Sequence, residues 1–261
     1  MSSLYIWDKI WMETKDDTEF WWWVERETKG IRASKIISYL ENYLGRINGL
    51  KIIEVGCGAG VHSLILAKRG ATVSLMDYSQ EGLLLARKHF DFLGLSASFL
   101  YADALNIEPN LQEKFDVAMS FGTVEHYRYP ERLLIAKAHI DLVKPQGVVI
   151  ISVPNRWFLP HEILKFYLQR RGKWREDYER AFSQQELLKL GNKLGLENIK
   201  IYGSSFIIDM SRYLRIYQET ALFRKFCRVP PRGISTHDLV SPFDNLLGAD
   251  IFLMGRKPSA I

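Results

Sequence analysis

The sequence has few cysteines and no long apolar segment, and both absences exclude whole classes of protein. Two cysteines, Cys57 and Cys227, among 261 residues are too few for a disulfide framework or a cysteine-rich metal cluster. No apolar run approaches the roughly 18 residues that a membrane-spanning helix needs. The amino terminus also lacks a basic segment followed by a smooth apolar stretch, as a secretory signal would have. We therefore expect a cytoplasmic protein.

Positive charge is concentrated in two stretches. The chain carries a net charge of +5, but residues 156–180 contribute +3 and residues 212–232 contribute +5, so the rest of the chain is acidic. Such stretches attract acidic partners or an anionic membrane surface. Solvated helix faces would give the same composition, so charge by itself leaves both interpretations open.

An alternation of strand and helix patterns runs from residue 50 to residue 153. KIIEV is a continuous apolar strand of the kind buried on both faces of a parallel sheet. Four further strands follow as ATVSLMD, SASFLYAD, FDVAMSFG and GVVIISVP. Ser79 is placed to cap one helix, and Ser183 with Glu186 forms a capping-box pattern before another. The alternation predicts an α/β fold with a doubly wound parallel sheet.

Three other segments surround this core. Residues 1–49 form a mostly helical amino-terminal extension, which we expect to act as a lid. Residues 155–180 and 203–248 interrupt the strand–helix rhythm and leave the sheet at the carboxyl ends of its strands, the edge where open α/β sheets bind ligands. We expect one domain over residues 1–261, with the two insertions on the substrate side.

The loop after the first strand, VGCGAG, has glycines at alternate positions. Gly56 and Gly58 fit the dinucleotide fingerprint G-x-G-x-x-G, but Val61 takes the third glycine position and Gly60 comes one residue early. The carboxylate of Glu54, two residues before the loop, would repel a pyrophosphate in a partly desolvated crevice. The loop therefore favours a zwitterionic or cationic ligand and argues against a nicotinamide-dependent oxidoreductase.

Two acids follow the next strands. Asp77 ends the second strand, where it can accept hydrogen bonds from both hydroxyls of a ribose, and Asp103 ends the third, where it can accept from the amine of an adenine. Both stand at the ligand-binding edge of the sheet.

With these motifs in this order, residues 50–153 resemble the class I S-adenosylmethionine-dependent methyltransferases. IIEVGCGAG is similar to the family's first motif, LMDYS to its second, YADAL to its third, and FDVAMSFGTVEHY and LVKPQGVVIISVPN to its fourth and fifth regions. The resemblance implies a seven-stranded Rossmann-like sheet in the order 3-2-1-4-5-7-6, with ADIFLMGRK as an antiparallel seventh strand. VEHY, VKPQG and SVPN resemble the branch of quinone-biosynthesis O-methyltransferases and many small-molecule enzymes.

The resemblance also implies the cofactor S-adenosyl-L-methionine and a set of residues that contact it. The expected cofactor-binding residues are Arg32, Glu54, Gly56, Gly58, Gly60, Asp77, Tyr78, Asp103, Ala104 and Phe121. The glycines let the backbone pass close to the methionine portion, with Glu54 near its ammonium group. Arg32 stands where relatives often have a basic residue for the cofactor carboxylate, and a surface arginine is the alternative.

The remaining residues of the set are expected at the nucleoside and at the sulfonium. Asp77 takes the ribose, Tyr78 stacks on the adenine, and Asp103 with Ala104 reads the adenine edge. Phe121, after the fourth strand, lies beside the sulfonium.

Methyl transfer to a hydroxyl needs a base, and two residues after the fourth strand are candidates. His126 could accept the proton because an unshifted imidazole is largely neutral at pH 7, and Glu125 stands next to it. The alternative is that both residues shape the site without taking part in catalysis. We expect no metal.

All seven tryptophans lie outside residues 50–153. The four consecutive aromatic residues of FWWWVER cannot share one helix face at about 100° per residue, so some must meet a second surface. That surface is a lid over the site, a partner subunit or a lipid interface, unless the helices simply pack on the sheet.

The sequence thus predicts methyl transfer from S-adenosylmethionine to a small-molecule or lipid-like acceptor, at oxygen. The alternatives are an RNA or protein methyltransferase that uses the basic insertions, or a non-catalytic cofactor-binding scaffold. Nucleic acid is the less favoured partner, while peripheral membrane contact and an oligomer stay open.

Overall fold

The computed structural model describes residues 3–14, 17–176, 178–219 and 241–259. Within them, seven strands form one sheet: β1 Lys51–Val55, β2 Thr72–Asp77, β3 Ser98–Tyr101, β4 Phe115–Phe121, β5 Val143–Pro154, β6 Glu197–Gly203 and β7 Asp250–Arg256. The strand order is β3-β2-β1-β4-β5-β7-β6, and β7 runs antiparallel to both of its neighbours. The predicted fold class and strand order are therefore confirmed.

The described helices are α1 Ser3–Glu13, α2 Asp17–Thr28, α3 Ile31–Leu44, α4 Val61–Ala67, α5 Gln80–Phe92, α6 Glu131–Leu142, α7 Leu159–Arg170, α8 Gln184–Lys193, α9 Phe206–Glu219 and α10 Asp244–Leu247. Both predicted caps are confirmed. The Ser79 hydroxyl accepts from the backbone N–H of Gly82, and Ser183 and Glu186 form a reciprocal capping box that begins α8. None of the helices in the described ranges is long and apolar enough to cross a membrane.

The central strands bury both of their faces, as expected for a sheet covered by helices on both sides. In β5, Val148 and Ile150 belong to the core cluster on one face, whereas Val149, Ile151 and Val153 belong to the cluster on the other. Helices α2 to α5 contribute to the first cluster, and α6 and α8 to the second. The alternation fixes which face each side chain meets, and the parallel pairing of β1 to β5 brings their carboxyl ends to one edge of the sheet.

Most of the amino-terminal extension belongs to the core. Phe20 and Val24 of α2 and Leu40 of α3 are buried in the first cluster, with Trp21 and Trp23 packed against it. Packing on the core therefore explains three of the four aromatic residues of FWWW, while the fourth, Trp22, is exposed. Helix α1 packs instead on the glycine loop and on α5, at the carboxyl edge of the sheet.

The two insertions are described to different extents. Helix α7 forms the middle of the 155–180 insertion, and α9 and α10 belong to the 203–248 insertion. Most of the basic stretch 212–232, including Cys227, lies outside the described residues.

Candidate functional site

The glycine loop turns sharply between β1 and α4. Gly56, Gly58 and Gly60 have φ angles of 65°, 48° and 76°, a region that residues with a side chain rarely adopt. A Cβ on Gly56 would lie 2.5 Å from Oγ1 of Thr123, and one on Gly60 would lie 2.6 Å from Leu75. The loop thus needs glycine both for its conformation and for its close packing, and it presents bare backbone at the edge of the sheet.

Glu54 is buried beneath this loop and caps the helix that follows. One of its carboxylate oxygens accepts from the backbone N–H of Ser63 at 2.9 Å and from the Ser63 hydroxyl at 2.5 Å. Burial raises the pKa of Glu54 to about 7, against the lowering effect of these two hydrogen bonds. A nearby cation would favour the ionised form, so the predicted role beside an ammonium group is chemically consistent.

Asp77 joins the end of β2 to the glycine loop. Its Oδ2 accepts from the backbone N–H of Gly58 and its Oδ1 from that of Ser79, both at 2.8 Å. Burial raises the pKa of Asp77 and these backbone hydrogen bonds oppose the rise. Each carboxylate oxygen can accept a second hydrogen bond, so the group can hold the loop and still bind a hydroxyl.

The residues predicted to contact the adenine lie at the same edge. Tyr78 and Ala104 are partly buried, while Asp103 is exposed and its Oδ1 accepts from the backbone N–H of Leu105 at 2.9 Å. Strand β3 pairs with β2 so that Asp77 stands beside Tyr101, which brings Asp103 near the Asp77 end of the sheet.

Arg32 is not a surface residue. Its largely buried guanidinium pairs with Glu27 at 2.8 Å and with Asp250 at 3.0 Å. It also lies 5.6 Å from the ring centroid of Phe121. The two carboxylates raise the pKa of Arg32 despite its burial. Neither partner was predicted from the sequence. The contact with Glu27 depends on the turn between α2 and α3, and the contact with Asp250 depends on the packing of α3 against the start of β7.

Phe121 also stacks on the ring of His62, with centroids 3.6 Å apart. His62 is buried, and burial lowers its pKa to about 3, so it is a neutral packing residue. The aromatic pair forms an apolar wall at the end of β4, beside the glycine loop.

His126 stands in a short 3-10 turn, Val124–His126, and its tautomer is set by the backbone of the 155–180 insertion. Its Nδ1 lies 2.8 Å from the carbonyl oxygen of Tyr178, which can only accept, so Nδ1 carries the proton. Burial lowers the pKa of His126. The imidazole is therefore neutral at pH 7 with its lone pair on Nε2, the form a general base needs.

Two carboxyl groups flank Nε2 of His126. Glu125 Oε1 lies 4.0 Å away and Glu176 Oε2 lies 3.9 Å away. Burial raises the pKa of Glu125 well above its ordinary value, and burial with the neighbouring Glu179 raises that of Glu176. Glu125 is buried, and its Oε2 has no hydrogen-bond partner among the residues that the structure describes.

Sequence reasoning missed Glu176 and Tyr178. Both lie about 50 residues after His126 in an insertion whose composition indicated only basic and aromatic character. No local pattern marks either residue, because their role depends on where the insertion folds back.

Helix α1 lies over the glycine loop. A Cβ on Gly58 would fall 2.3 Å from the indole of Trp11, and one on Gly82 would fall 3.1 Å from it. The hydroxyl of Ser79 donates to Asp8 at 2.6 Å. At the other side of the site, the ring of Trp7 meets His126 edge-on with centroids 4.9 Å apart. One helix thus spans the edge from the Asp77 side to the His126 side.

Comparisons with known proteins find methyltransferases among the relatives of this chain. A family model described as a methyltransferase domain matches residues 52–147. The ubiquinone biosynthesis O-methyltransferase of Pasteurella multocida is 31% identical over 183 residues, which cover 64% of this chain and 75% of the relative. The enzyme of that name from Actinobacillus pleuropneumoniae is 31% identical over 160 residues, which cover 58% and 68%.

Solved structures share the fold. A methyltransferase from Thermotoga maritima, described as a possible histamine N-methyltransferase, superposes with a TM-score of 0.60 at 21% identity and covers 98% of this chain and 100% of its own. The magnesium protoporphyrin IX methyltransferase of Synechocystis, solved with bound S-adenosylhomocysteine, gives a TM-score of 0.56 at 16% identity, covering 87% and 82%.

Proposed function

This chain belongs to the class I S-adenosylmethionine-dependent methyltransferases, and from that membership we propose that it methylates a hydroxyl oxygen of a small-molecule or lipid-like acceptor. The observation that carries the proposal is His126, which is held neutral with Nε2 free to accept a proton. The curated relatives are named O-methyltransferases, which supports oxygen as the acceptor atom.

The cofactor is S-adenosylmethionine, which supplies an activated methyl group on a sulfonium when it is bound. The residues fit it: bare glycine backbone lies beside two buried carboxylates, Glu54 and Asp77. We propose that Glu54 faces the ammonium group, Asp77 the ribose, and Tyr78, Asp103 and Ala104 the adenine.

The other end of the cofactor requires two further assignments. Phe121 is proposed to line the sulfonium side. Arg32 is proposed for the cofactor carboxylate, although Glu27 and Asp250 already neutralise it. Its other role, which the ion pairs support directly, is to join α3 to the sheet behind Phe121.

The protein's part in the reaction centres on His126. Its Nε2 takes the proton of the acceptor hydroxyl as the oxygen becomes the nucleophile. The resulting imidazolium keeps its Nδ1–H bond to the carbonyl of Tyr178 and has the Glu176 carboxyl 3.9 Å away. Glu125, buried and with a raised pKa, can donate a hydrogen bond from its neutral form and help to orient the acceptor.

The lipid-like character of the acceptor is supported by α7. Leu159, Ile163 and Phe166 are exposed at helical spacing on one face of this helix, and Arg170 and Arg171 follow at its carboxyl end. An apolar face next to basic residues suits a long apolar chain or a membrane surface. We propose that the insertion covers the acceptor.

Replacement of His126 by Gln tests the proposed base. We expect kcat to fall by about 10²- to 10⁴-fold, the usual contribution of a general base, with little change in cofactor affinity. Because burial lowers the pKa of His126, the acidic limb of the wild-type pH–rate profile should have its midpoint below the ordinary imidazole pKa of about 6.5, and the variant should lose this limb. The readout is release of S-adenosylhomocysteine with hydroxyl-bearing acceptors found in a metabolite-library screen.

His139→Gln is the matched control, because His139 is a buried neutral imidazole near the carboxyl end of α6, where its Nδ1 bonds the carbonyl oxygen of Ile135. It should keep the pH profile of the wild type. An unchanged kcat and pH profile in His126→Gln would show that His126 is not the base.

A further inference from the structure

A half-open pocket of about 530 Å³ lies next to the His126 side of the site. Its walls come from four places: Arg128 just after the 3-10 turn, Arg156 between β5 and α7, one face of α7, and residues 178–181. The charged residues that line it are Arg128, Arg156, Lys165, Arg180, Glu162 and Glu179. The methyl-transfer chemistry described above leaves this pocket without a role.

The two acids of the pocket are already neutralised. Glu179 accepts from His161 Nε2 at 2.8 Å and from the ammonium of Lys165 at 3.1 Å, and Glu162 accepts from Lys165 at 2.9 Å. His161, Glu162 and Glu179 are close enough to hold a metal ion. The Lys165 ammonium, however, already contacts both carboxylates, so a second cation there would be repelled.

The arginines that line the pocket carry more positive charge than their neighbouring carboxylates neutralise. Arg156 and Arg180 share one carboxylate, that of Glu186. Arg128 forms no ion pair with any carboxylate in the described part of the chain, and its guanidinium carbon lies over the ring of Tyr178, 3.9 Å from the centroid. This contact holds the guanidinium at the ring, and its N–H groups can still donate to a planar or tetrahedral oxyanion, the group that arginine binds best.

The pocket shares a wall with the proposed catalytic pair. The carbonyl of Tyr178 binds His126, and the backbone N–H of Arg180 donates to the carbonyl of Glu125 at 3.2 Å. Tyr178 and Arg180 thus hold His126 and Glu125 with their backbone, and both residues also line the pocket. Only this segment would separate a ligand in the pocket from His126, the proposed base.

We propose that this pocket binds a phosphate or carboxylate group carried by the methyl acceptor, with Arg128 as its main contact. The inference rests on the proposed function, since the acceptor must reach His126 while its anionic group occupies the pocket. It specifies that function further, because it predicts an acceptor with one anionic end.

The test uses the full-length protein with inorganic phosphate as the probe, titrated by calorimetry against wild type, Arg128→Gln and Arg87→Gln. Arg87 is the matched control, because its guanidinium also lies over an aromatic ring, that of Phe99, but on α5 and outside the pocket lining. Loss of a charge-assisted contact should weaken phosphate binding about tenfold or more in Arg128→Gln. Arg87→Gln should bind phosphate as the wild type does.

A second arm identifies the source of the anionic group. Binding to phosphatidic acid vesicles is compared with binding to a soluble phosphomonoester, in the wild type and in Arg128→Gln. The probe whose binding Arg128→Gln weakens more shows whether a lipid headgroup or a free metabolite is preferred. Absence of binding to every one of these probes, or equal loss in both arginine variants, would overturn the pocket proposal. Affinity for S-adenosylmethionine, measured on the same samples, separates this outcome from a failure of the proposed function, because a protein that binds the cofactor but no oxyanion contradicts the pocket alone.

Discussion

At the scale of single residues, the carboxylate of Asp77 carries two tasks. Its oxygens already accept from the backbone of Gly58 and Ser79, and we propose that they also accept from the ribose. The sequence pointed only to the second task. The first explains why a carboxylate, with four lone pairs and no donor, is suited to this position.

Asp77→Asn separates charge from shape. The amide should weaken the affinity for S-adenosylmethionine roughly ten- to a hundredfold, because one charge-assisted acceptor is replaced by a donor. The amide NH₂ would also face a backbone N–H, so we expect about 1–3 kcal/mol lower stability. Calorimetric titration and thermal unfolding give the two values. Asp91→Asn, an exposed carboxylate near the carboxyl end of α5, serves as control. An unchanged affinity in Asp77→Asn would place the ribose elsewhere.

Only part of the site could be predicted from the sequence. Glu54, the three glycines and Asp77 could be named because they lie at or just after the ends of strands that the hydrophobic pattern predicts. Glu176 and Tyr178 could not be named, since they meet His126 only through the fold of an insertion.

At the scale of elements, α1 is the part of the amino-terminal extension that covers the proposed site. Trp11 packs on Gly58 and Gly82, and Trp7 packs on His126. Since the proposed cofactor contacts lie beneath it, we propose that α1 is a lid that opens when the cofactor is exchanged.

Trp11→Ala tests this lid. Removal of the indole gives up the burial of a large aromatic side chain, so α1 should open more readily and the cofactor should dissociate about tenfold faster or more. Stopped-flow fluorescence measures the rate. Trp22→Ala is the matched control, because Trp22 is exposed on α2 and contacts Arg26. Equal dissociation rates in the two variants would argue against a lid.

At the scale of the whole molecule, apolar and basic surface meet on the 155–180 insertion. Leu159, Ile163 and Phe166 expose 60%, 56% and 59% of their surfaces on one face of α7. The pocket residues of the same helix, Glu162 and Lys165, lie on a neighbouring face. This geometry allows α7 to touch a lipid surface while its other face lines the pocket.

Vesicle co-sedimentation tests that contact. We expect binding to anionic vesicles that weakens at high salt, weaker binding to neutral vesicles, and a clear loss for the double variant Ile163→Glu/Phe166→Glu, because two apolar contacts with lipid are removed. Phe92→Glu is the control: Phe92 is 74% exposed on α5, away from the insertion. If both variants bind alike, α7 does not contact the membrane.

What the sequence by itself determined is local and periodic. Buried strands, the Ser79 cap, the Ser183 and Glu186 capping box and the glycine loop each depend on residues within a few positions of one another. Together with the resemblance of its motifs to a known family, they were enough to predict the strand order and the cofactor.

The tertiary structure alone decided the contacts that join distant segments. The pairing of Arg32 with Asp250, the seating of Trp11 on Gly58 and the bond from His126 to Tyr178 each link residues that are tens to hundreds of positions apart. Periodicity fixes which face of a helix is buried, but not where that helix is placed when it lies outside the sheet. That placement comes from the packing of whole elements, in which many weak contacts act together.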